Sequence, residues 1–393
     1  MSQRPISRSA DLTRLRDEGF DIVVQGAHLL VRDVPYATAQ RTVARGTLIS
    51  TLALSGDATI TPDTHIIYFL GEEPSDAEGQ PLERIINSRD RVELAPDLSA
   101  SHTFSSKPTE GYPDYYAKVT AYAAMLEGPA QALDTTATAR TFPAIASDPD
   151  DESVFQYIDS ATSRAGIGAV NQRLAAGPIA IVGLGGTGGY ILDLVAKTPA
   201  PEIHLFDGDV FSQHNAFRAP GAATLEELAE HLLKVEYFAR RYGAMRRGIV
   251  AHPEFIHEGN VDQLTSMHFV FLAIDSGDAK QAAVAALEAA GVPFVDVGVG
   301  VDERPEGTLG GQVRTTLSTP GCRDEARAHI PFSDGDANNA YSRNIQIADL
   351  NALNAALAVL RWKRFAGFYQ DLEAEYTSIY AIDGNHLANE PGR

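Results

Sequence analysis

The segment PIAIVGLGGTGGYILDLVAK, residues 178–197, carries the clearest structural signal in the chain. An uninterrupted apolar strand leads into a glycine-rich turn, and an apolar helix follows. The G-x-G-x-x-G spacing permits a tight turn and lets backbone N–H groups at the helix N-terminus approach a phosphate closely. The segment therefore predicts a nucleotide-binding strand, loop and helix, with Gly183, Gly185, Gly186 and Gly188 in the loop.

The segment EIHLFDGDVFSQHNAFR, residues 202–218, adds a second strand and more polar groups than a nicotinamide dehydrogenase requires there. Asp207 closes this strand, where a carboxylate can accept hydrogen bonds from ribose hydroxyls, which favours an adenine nucleotide. Asn215 can contact one phosphate oxygen, and Arg218 can bind two at once. Together these residues favour a nucleotide with a polyphosphate tail.

Three further residues extend this polar pattern. Asp209 follows the second strand, and Lys234 lies on the next helix, where it can act as a point charge toward phosphate. Asp275 ends the strand FLAID at the carboxyl edge of a parallel sheet, where open α/β sheets place ligands. A carboxylate there suits Mg²⁺, which prefers oxygen ligands and bridges phosphates. We therefore expect ATP and Mg²⁺, with Asp275 as the metal ligand.

Strands and helices alternate from about residue 154, which predicts a doubly wound, Rossmann-like α/β domain over residues 151–393. Residues 224–243 predict one helix, because Thr224 and Glu227 have capping-box spacing. A last helix is expected to end near Gly367. The expected inner stripes of these two helices are Leu225, Leu228, Leu232 and Val235 in the first, and Leu350, Leu353, Leu357 and Leu360 in the second.

The N-terminal part of the chain shows strands followed by a helix, which predicts a smaller α+β domain over residues 1–150. DIVVQGAHLLVRDVPY, residues 21–36, predicts a β-hairpin with Gly26 and Ala27 near its turn. Residues 139–153 are rich in Pro, Ser and Asp and predict a linker. We assign no chemistry to this domain and expect it to bind a substrate or partner.

The overall composition excludes several classes of protein. The 393 residues carry a net charge of -20, whereas nucleic acids and anionic membranes favour basic partners. No apolar run reaches transmembrane length, so we expect no membrane partner and a cytoplasmic location. The single cysteine, Cys322, excludes an internal disulfide and a multi-cysteine zinc site.

The pattern over roughly residues 160–365 resembles the ThiF/MoeB family of adenylating enzymes, which includes the activating enzymes of ubiquitin and its relatives. In that family the glycine loop precedes D-x-D-x-V, with Asn and Arg at fixed distances after the first Asp. The matching residues here are Asp207, Asp209, Val210, Asn215 and Arg218. Lys234 lies a few residues later than the family's phosphate lysine, and Asp275 matches its metal-handling aspartate.

The resemblance implies that the C-terminal carboxylate of a ubiquitin-like protein attacks the α-phosphate of ATP, giving an acyl-adenylate and pyrophosphate. Arg218 and Lys234 would stabilise the departing polyphosphate, and Asp275 would hold Mg²⁺. Family members also use an arginine from the segment before the glycine loop, which reaches into the partner subunit. Arg164 is the first candidate for that role and Arg173 the second, so the resemblance also implies a homodimer.

Cys322 gains a possible role from the same resemblance. Activating enzymes often carry the adenylated protein onward as a thioester on a cysteine in this part of the chain, and Arg323 and Arg327 would favour a thiolate. The alternative is an ordinary loop or core cysteine. The enzyme would then stop at adenylation or pass the acyl group to a partner, such as a downstream conjugating enzyme.

Two departures from the family pattern keep other functions open. Ala219 replaces the glutamine that usually follows the motif arginine, and the paired zinc cysteines of many relatives are absent. The glycine loop alone would permit an NAD(P)-dependent oxidoreductase, and a catalytically silent adapter could retain the fold. Asn215, Arg218 and Asp275 favour the ATP-dependent enzyme over the oxidoreductase. The complete set of these three residues with Asp207 disfavours the adapter, although Ala219 keeps that alternative open.

Overall fold

The computed structural model describes residues 4–147, 153–275, 277–332 and 345–390. The chain divides into two compact units, Met1–Asp151 and Glu152–Arg393. This division lies one residue from the boundary that we proposed between residues 150 and 151. Of the predicted linker, residues 148–152 lie outside the described residues.

The described part of the first unit contains three helices and ten strands. The helices are α1 Arg4–Arg8, α2 Ala10–Asp17 and α3 Tyr115–Leu133. The strands are β1 Asp21–Gln25, β2 His28–Ala37, β3 Val43–Thr51, β4 Leu54–Ser55, β5 Ala58–Thr59, β6 Ile66–Leu70, β7 Ile86–Ser88, β8 Val92–Ala95, β9 Leu98–Ala100 and β10 His102–Ser105.

Six of these strands form an antiparallel sheet in the order β1-β2-β3-β6-β10-β7. β1 and β2 form the predicted hairpin, in which Gln25 pairs with His28 across the turn. Helix α3 begins after Asp114, whose Oδ1 accepts a hydrogen bond from the backbone N–H of Ala117 at 2.7 Å. Strands with a packed helix give this unit the predicted α+β architecture.

Helix α3 also buries a charged group. Lys118 is fully buried, and its Nζ donates a hydrogen bond to Ser50 Oγ at 2.8 Å. Burial lowers the pKa of Lys118 to about 8, and the charge of Asp63 opposes this shift. The folded unit therefore holds this lysine near its titration point at mildly alkaline pH.

The second unit contains the remaining helices and strands. The helices are α4 Ser160–Arg164, α5 Gly168–Asn171, α6 Gly186–Val195, α7 Gln213–Ala216, α8 Leu225–Ala229, α9 Lys234–Gly243, α10 Gly277–Ala290, α11 Arg323–Arg327 and α12 Ala348–Phe365, with 3₁₀ turns at Gln172–Ala175 and Val261–Ser266. The strands are β11 Ile179–Val182, β12 Ile203–Phe206, β13 Ile249–His252, β14 Phe269–Leu272, β15 Phe294–Glu303, β16 Leu309–Ser318, β17 Thr377–Ala381 and β18 His386–Glu390. Across the described ranges of both units, no helix combines the length and apolarity needed to cross a membrane.

These strands form one sheet in the order β13-β12-β11-β14-β15-β16-β17-β18. The pairs from β13 to β15 are parallel, and the pairs from β15 to β18 are antiparallel. The chain leaves β11 toward β12 on one side and later returns to β14 on the other side. The carboxyl end of β11 is therefore a topological switch point, where open α/β sheets bind ligands.

Both faces of this sheet are covered, as the unbroken apolar strand at β11 predicts. Ile179 and Ile181 point to one face and join a core with residues of α6, α9 and α12. Ala180 and Val182 point to the other face and join a core with residues of α10. The layers confirm the predicted fold class, a doubly wound Rossmann-like domain preceded by a smaller α+β domain.

The single helix predicted over residues 224–243 is wrong, because the structure has two helices, α8 and α9. The capping box at the start of α8 is present, since Thr224 Oγ1 accepts from the N–H of Glu227 and the Glu227 carboxylate accepts from the N–H of Thr224. The intervening backbone instead pairs with the segment after β12, where Phe211 N–H donates to the Leu232 carbonyl at 2.8 Å. Leu225, expected on the inner stripe, is 80% exposed.

The leucine stripe predicted for the last helix is also wrong in part. Leu350 is buried, but Leu360 is exposed and the two leucines between them are only partly covered. The buried face of α12 instead carries smaller residues, among them Asn351 and Ala355. These short side chains allow α12 to pack closely against the start of α6, where Gly186 lies against Asn351.

Candidate active site

The glycine loop joins β11 to α6 at the switch point. Gly183 has a φ of +89°, which residues with a Cβ rarely adopt, and a Cβ there would overlap the carbonyl oxygen of Ala273. A Cβ at Gly188 would overlap the carbonyl oxygen of Gly183. These two glycines are therefore required by the turn and by the close packing of the helix on the loop.

The other two loop glycines have different surroundings. Gly186 packs against Asn351, whose Oδ1 accepts a hydrogen bond from the Thr187 hydroxyl at 3.1 Å. Gly185 is the N-cap of α6 and provides no side-chain cap, and a Cβ there would meet only Gln346 Oε1 among the described residues, at 4.0 Å. The open space beside Gly185 and the uncapped N–H groups of α6 can receive an anion.

Asp207 holds the glycine loop from the neighbouring strand. Its Oδ2 accepts a hydrogen bond from the backbone N–H of Leu184 at 2.7 Å, and its Oδ1 accepts one from that of Asp209 at 2.9 Å. The residue is buried, so its carboxylate is fixed in place. A carboxylate has about four acceptor sites, so Asp207 retains the capacity to accept from ribose hydroxyls.

Lys234 enters the site because α8 and α9 are separate helices. The backbone N–H of Lys234 donates to the Asp209 carbonyl at 2.8 Å, which places the first residue of α9 beside the end of β12. Its Nζ lies 2.6 Å from Asp209 Oδ2 and 3.5 Å from Asp207 Oδ1. Lys234 is buried, whereas the Asp209 side chain is 57% exposed. Two carboxylates thus compensate the charge of this lysine.

Arg218 presents a donor that no described residue uses, because its Nε is buried without a hydrogen-bond partner. Leaving a buried donor unsatisfied costs about 1–3 kcal/mol, so the arrangement favours a ligand that accepts from it. Asn215 has a different role, since it is buried and its Oδ1 accepts from the N–H of Ser212 at 2.8 Å as part of a helix cap. Asn215 does not line the cavity that Arg218 lines, and its phosphate contact stays a prediction.

A cavity of about 290 Å³ lies at the carboxyl ends of β11, β12 and β14 and beside the middle of β15. Its lining includes Gly183, Gly185, Gly186, Asp207, Asp209, Arg218, Lys234 and Asp275 on the polar side, and Phe255, Ile256, Ile274 and Val299 on the apolar side. Its three carboxylates and two cations leave one formal negative charge. A polyanionic ligand would therefore need additional positive charge at this site.

Asp275 follows β14 and lines the same cavity, at the edge where the sequence places it. Within residues 4–147, 153–275, 277–332 and 345–390, no group of three or more His, Cys, Asp or Glu side chains could hold a metal ion. A Mg²⁺ ion at Asp275 would therefore take its other ligands from phosphates and water. This is the usual manner in which proteins bind Mg²⁺ with a nucleotide, so the site fits the metal.

The two arginines expected from the segment before the loop do not line this cavity. Arg164 is exposed at the end of α4. Arg173 donates through Nη1 to the carbonyl oxygen of Gly367, just beyond the end of α12. Arg173 therefore provides a hydrogen bond for a carbonyl oxygen just after α12. The role of Arg164 in a partner subunit stays a prediction.

Cys322 also lies outside the lining of the cavity, at the residue before α11. Its Sγ lies 3.4 Å from Thr319 Oγ1. The arginines expected to support a thiolate are directed elsewhere, because Arg323 donates to the Glu288 carbonyl at 2.5 Å and Arg327 pairs with the Glu288 carboxylate. The thioester role of Cys322 stays a prediction.

Ala219 and two polar residues complete the description of the site. Ala219, where the family has glutamine, is buried and packs in the core beneath α6. Asn351 braces the loop through Thr187, and Gln346 lines the cavity with a buried Oε1 that lacks a hydrogen-bond partner among the described residues. The sequence analysis missed both Asn351 and Gln346. For Asn351, a polar residue on the buried face of a helix is a signal that could have found it. Gln346 precedes this helix and carries no such signal.

The chain matches two family profiles. The ThiF family matches residues 161–357, half of the chain, and a domain of unknown function, DUF6791, matches residues 10–160. None of the curated proteins matches the chain.

Several solved structures resemble part of the chain. E. coli MccB with ATP is 17% identical with a TM-score of 0.45, over 57% of this chain and 66% of that chain. The microcin C7 biosynthetic enzyme MccB with N-formylated MccA is 16% identical with a TM-score of 0.45, over 57% and 67%. PaaA is 15% identical with a TM-score of 0.42, over 57% and 75%. The chain thus spans just under two thirds of the first of these, and at such identities the likeness concerns the fold alone.

Proposed function

The chain belongs to the ThiF family of adenylyltransferases, and we propose on that basis that it activates the C-terminal carboxylate of a ubiquitin-like protein with ATP and Mg²⁺. In this reaction a carboxylate oxygen forms a bond to the α-phosphorus. The bond from that phosphorus to the oxygen bridging to the β-phosphate breaks, and pyrophosphate leaves with the electron pair. No proton transfer is required, so positioning and charge compensation provide the catalysis.

The main support for this proposal is that one cavity contains two sets of hydrogen-bond donors for a ligand, on Arg218 and at the start of α6. The Nε of Arg218 is buried without a partner, and the N-terminus of α6 has no side-chain cap. Both are hydrogen-bond donors, and the residues that carry them, Arg218 and those at the start of α6 from Gly185, line a cavity at the switch point of the sheet. Phosphate oxygens are the ligand groups that accept from a guanidinium and from helix N–H groups together.

The remaining lining residues suit the other parts of ATP. Asp207 would accept from the ribose hydroxyls, and the apolar side chains of Ile256 and Ile274 would contact the base. Mg²⁺ held at Asp275 would supply positive charge to the phosphates, which the negative lining requires. Lys234, already paired with Asp209, would turn toward the polyphosphate as charge develops on it.

The proposal extends to parts of the protein outside the cavity. A homodimer would bring Arg164 to the nucleotide of the partner subunit, and a thioester on Cys322 or transfer to a conjugating enzyme would follow adenylation. The first unit would select the ubiquitin-like protein or the acceptor. The reaction and its small-molecule substrate would both suit a cytoplasmic location.

ATP–pyrophosphate exchange with candidate ubiquitin-like proteins tests the reaction directly. We expect exchange that requires Mg²⁺ and a free terminal carboxylate, and the matched control is the same protein with an amidated C-terminus. Calorimetric titration of the chain with ATP·Mg and, separately, with NAD provides the second measurement. Tight NAD binding with no binding of ATP would favour the oxidoreductase, and ATP binding without exchange for any candidate would favour a silent adapter.

A further inference from the structure

Two histidines fasten β13, the last described strand on its side of the second unit's sheet, to β12. His204 lies on β12, and His252 is the final residue of β13. The Nδ1 atom of His204 lies 2.9 Å from Nε2 of His252, and the two rings are stacked with their centroids 5.2 Å apart. We call these two residues the histidine pair. Neither of them lines the nucleotide cavity.

The histidine pair is connected to one wall of that cavity. The His252 ring stacks on Phe206 at a centroid distance of 4.1 Å, and Phe206 is buried in the same core as Ile256. The carbonyl oxygen of His252 accepts a hydrogen bond from the N–H of Glu254 at 2.8 Å, and the chain continues from there into Phe255 and Ile256. Both of these residues line the cavity. A displacement of His252 would therefore move this wall.

The hydrogen bond within the pair depends on how many protons the two rings carry. A neutral imidazole has one N–H donor and one acceptor nitrogen, whereas a charged imidazolium has two donors. Glu202 accepts from Nε2 of His204 at 3.2 Å, so Nδ1 of His204 accepts from His252 when His204 is neutral and donates to it when His204 is charged. The hydrogen bond therefore survives one added proton. A second proton leaves two donors facing each other across 2.9 Å and places two positive charges side by side.

Two carboxylates face the pair from the segments packed against it. Glu202 contacts His204, and its side chain is 55% exposed, so solvent screens its charge. The charge of Glu254 acts on His252, but its carboxylate accepts hydrogen bonds from the side chains of Asn260 at 2.8 Å and Gln263 at 3.0 Å. These carboxylates are thus only partly available to compensate a doubly charged pair. The other titratable groups of these segments are bonded elsewhere or exposed, namely Asp207 (bonded to the glycine loop), His257 (bonded to the N–H of Gly259) and Asp262.

Burial opposes the second proton as well. It lowers the pKa of His252, the charge of His204 lowers this pKa further, and Glu254 opposes the shift. A histidine in an opened, hydrated segment titrates near pH 6.5, so below about that pH the opened segment binds a proton that the closed segment resists. The closed arrangement therefore loses stability as the pH falls through the mildly acidic range.

We propose that the histidine pair is an acid-sensitive latch on the nucleotide cavity: protonation of both rings releases β13 from β12 and displaces the wall formed by Phe255 and Ile256, which weakens nucleotide binding. The proposal rests on the proposed function, because it concerns the regulation of the cavity that would hold ATP. The chain then binds nucleotide near neutral pH and releases it in mildly acidic solution.

Hydrogen exchange of the unliganded full-length chain tests the latch without nucleotide. Amide exchange of residues 249–256 is measured at about pH 7.5 and about pH 5.5, on either side of the ordinary histidine pKa, and corrected for the intrinsic effect of pH. We expect the corrected rate in wild type to be about tenfold faster at the lower pH, the effect of losing about one hydrogen bond. Exchange in β11 and β14 should stay unchanged, which distinguishes local release from general unfolding.

The variant H252Q provides the comparison, because its amide is neutral at both pH values and can still donate to or accept from His204. We expect its corrected exchange rate to change by less than about twofold. The matched control is H268Q, which removes another imidazole of the same unit, at an exposed position just before β14. H268Q should respond to pH as wild type does.

Titration with AMPCPP and Mg²⁺ at the same two pH values links the latch to the cavity. Protonation of the ligand's own phosphates weakens binding in every variant alike, so the comparison between variants isolates the histidine pair. We expect wild type and H268Q to lose about tenfold more affinity at the lower pH than H252Q loses.

Each outcome decides the proposal. An equal pH response of exchange in wild type and H252Q, or a flattened response in H268Q, overturns it. Faster exchange without the additional loss of AMPCPP affinity overturns it too, because the pair would then not reach the cavity. If H252Q does not fold, H204Q replaces it with the same expected result. Failure of wild type to bind AMPCPP at the higher pH would instead refute the proposed function, and the exchange measurement alone would then decide the latch.

Discussion

Replacing Arg218 with methionine should weaken the binding of ATP·Mg without loosening the fold. The Nε of Arg218 is buried and makes no hydrogen bond to any described residue, so methionine removes a donor that the folded chain does not use. Methionine also matches the length of the aliphatic stem, so little packing is lost. The substitution therefore separates the ligand contact from the stability of the domain.

The expected size of the effect follows from the strength of a charge-assisted hydrogen bond. Such a bond contributes about 1.5–3 kcal/mol, which corresponds to a loss of affinity of about 10- to 150-fold. The free energy of unfolding should not fall, because methionine breaks no hydrogen bond of the side chain to a described residue and relieves the cost of the unsatisfied buried donor, about 1–3 kcal/mol. Calorimetric titration with ATP·Mg and urea unfolding measure the two quantities on the same protein.

Lys234→Met provides the contrast. This substitution breaks the contacts of Lys234 with Asp209 and Asp207, so it should lower the free energy of unfolding by about 2 kcal/mol. This loss is smaller than that for a fully buried ion pair, because the Asp209 side chain is 57% exposed and solvent screens its charge. Affinity for ATP·Mg within twofold of wild type in Arg218→Met would refute the reasoning. Equal losses of stability in the two variants would refute it as well, since Arg218 would then support the fold.

Three further predictions follow from the described contacts. Gly185→Ala should weaken ATP binding about tenfold and leave the free energy of unfolding unchanged, because its Cβ would occupy the open space beside the helix N-terminus. In Gly188→Ala the Cβ would overlap the Gly183 carbonyl oxygen, so the free energy of unfolding should fall by about 2 kcal/mol. ATP titration and urea unfolding of both variants distinguish these roles, and identical behaviour of the two variants would contradict them. The free energy of unfolding of the wild type, relative to that of Lys118→Met, should rise between pH 8 and pH 10.5. Lys118 releases its proton at a pKa of about 8 in the folded chain but keeps it up to about pH 10.5 in the unfolded chain, so the gain reaches about 3 kcal/mol. Urea unfolding at several pH values measures it, and parallel profiles for the two proteins would contradict it. Cys322→Ser should continue pyrophosphate exchange but lose any thiol-sensitive acyl conjugate seen on non-reducing gels, and a conjugate that persists would exclude Cys322 as the acceptor.

Local signals were sufficient for the central part of the site. The strand, the glycine turn and the helix at residues 178–197 follow from their own residues, because the turn requires Gly183 and the close helix packing requires Gly188. Asp207 and Asp275 follow directly from strand ends, and the carboxyl ends of parallel strands meet at one edge of the sheet. Local sequence patterns therefore identify many of the polar residues that line the cavity.

Contacts between residues far apart in the chain determine the break between α8 and α9 and the buried face of α12, which the sequence analysis did not predict. The helical period of residues 224–243 is continuous, but backbone pairing between Phe211 and Leu232 interrupts it. The inner face of α12 is set by the glycine loop, because only a short side chain such as Asn351 fits against Gly186. Neither partner is close in the chain, so no local periodicity reports these contacts.

The hydrogen bond between Thr187 and Asn351 spans 164 residues of chain. During translation, the strand, turn and first helix leave the ribosome long before the segment that braces them. A growing polypeptide therefore carries the nucleotide loop without this hydrogen bond until α12 has been synthesised. We expect ATP to bind only after α12 has docked, so that nucleotide occupancy marks a completed domain and nascent fragments do not consume substrate.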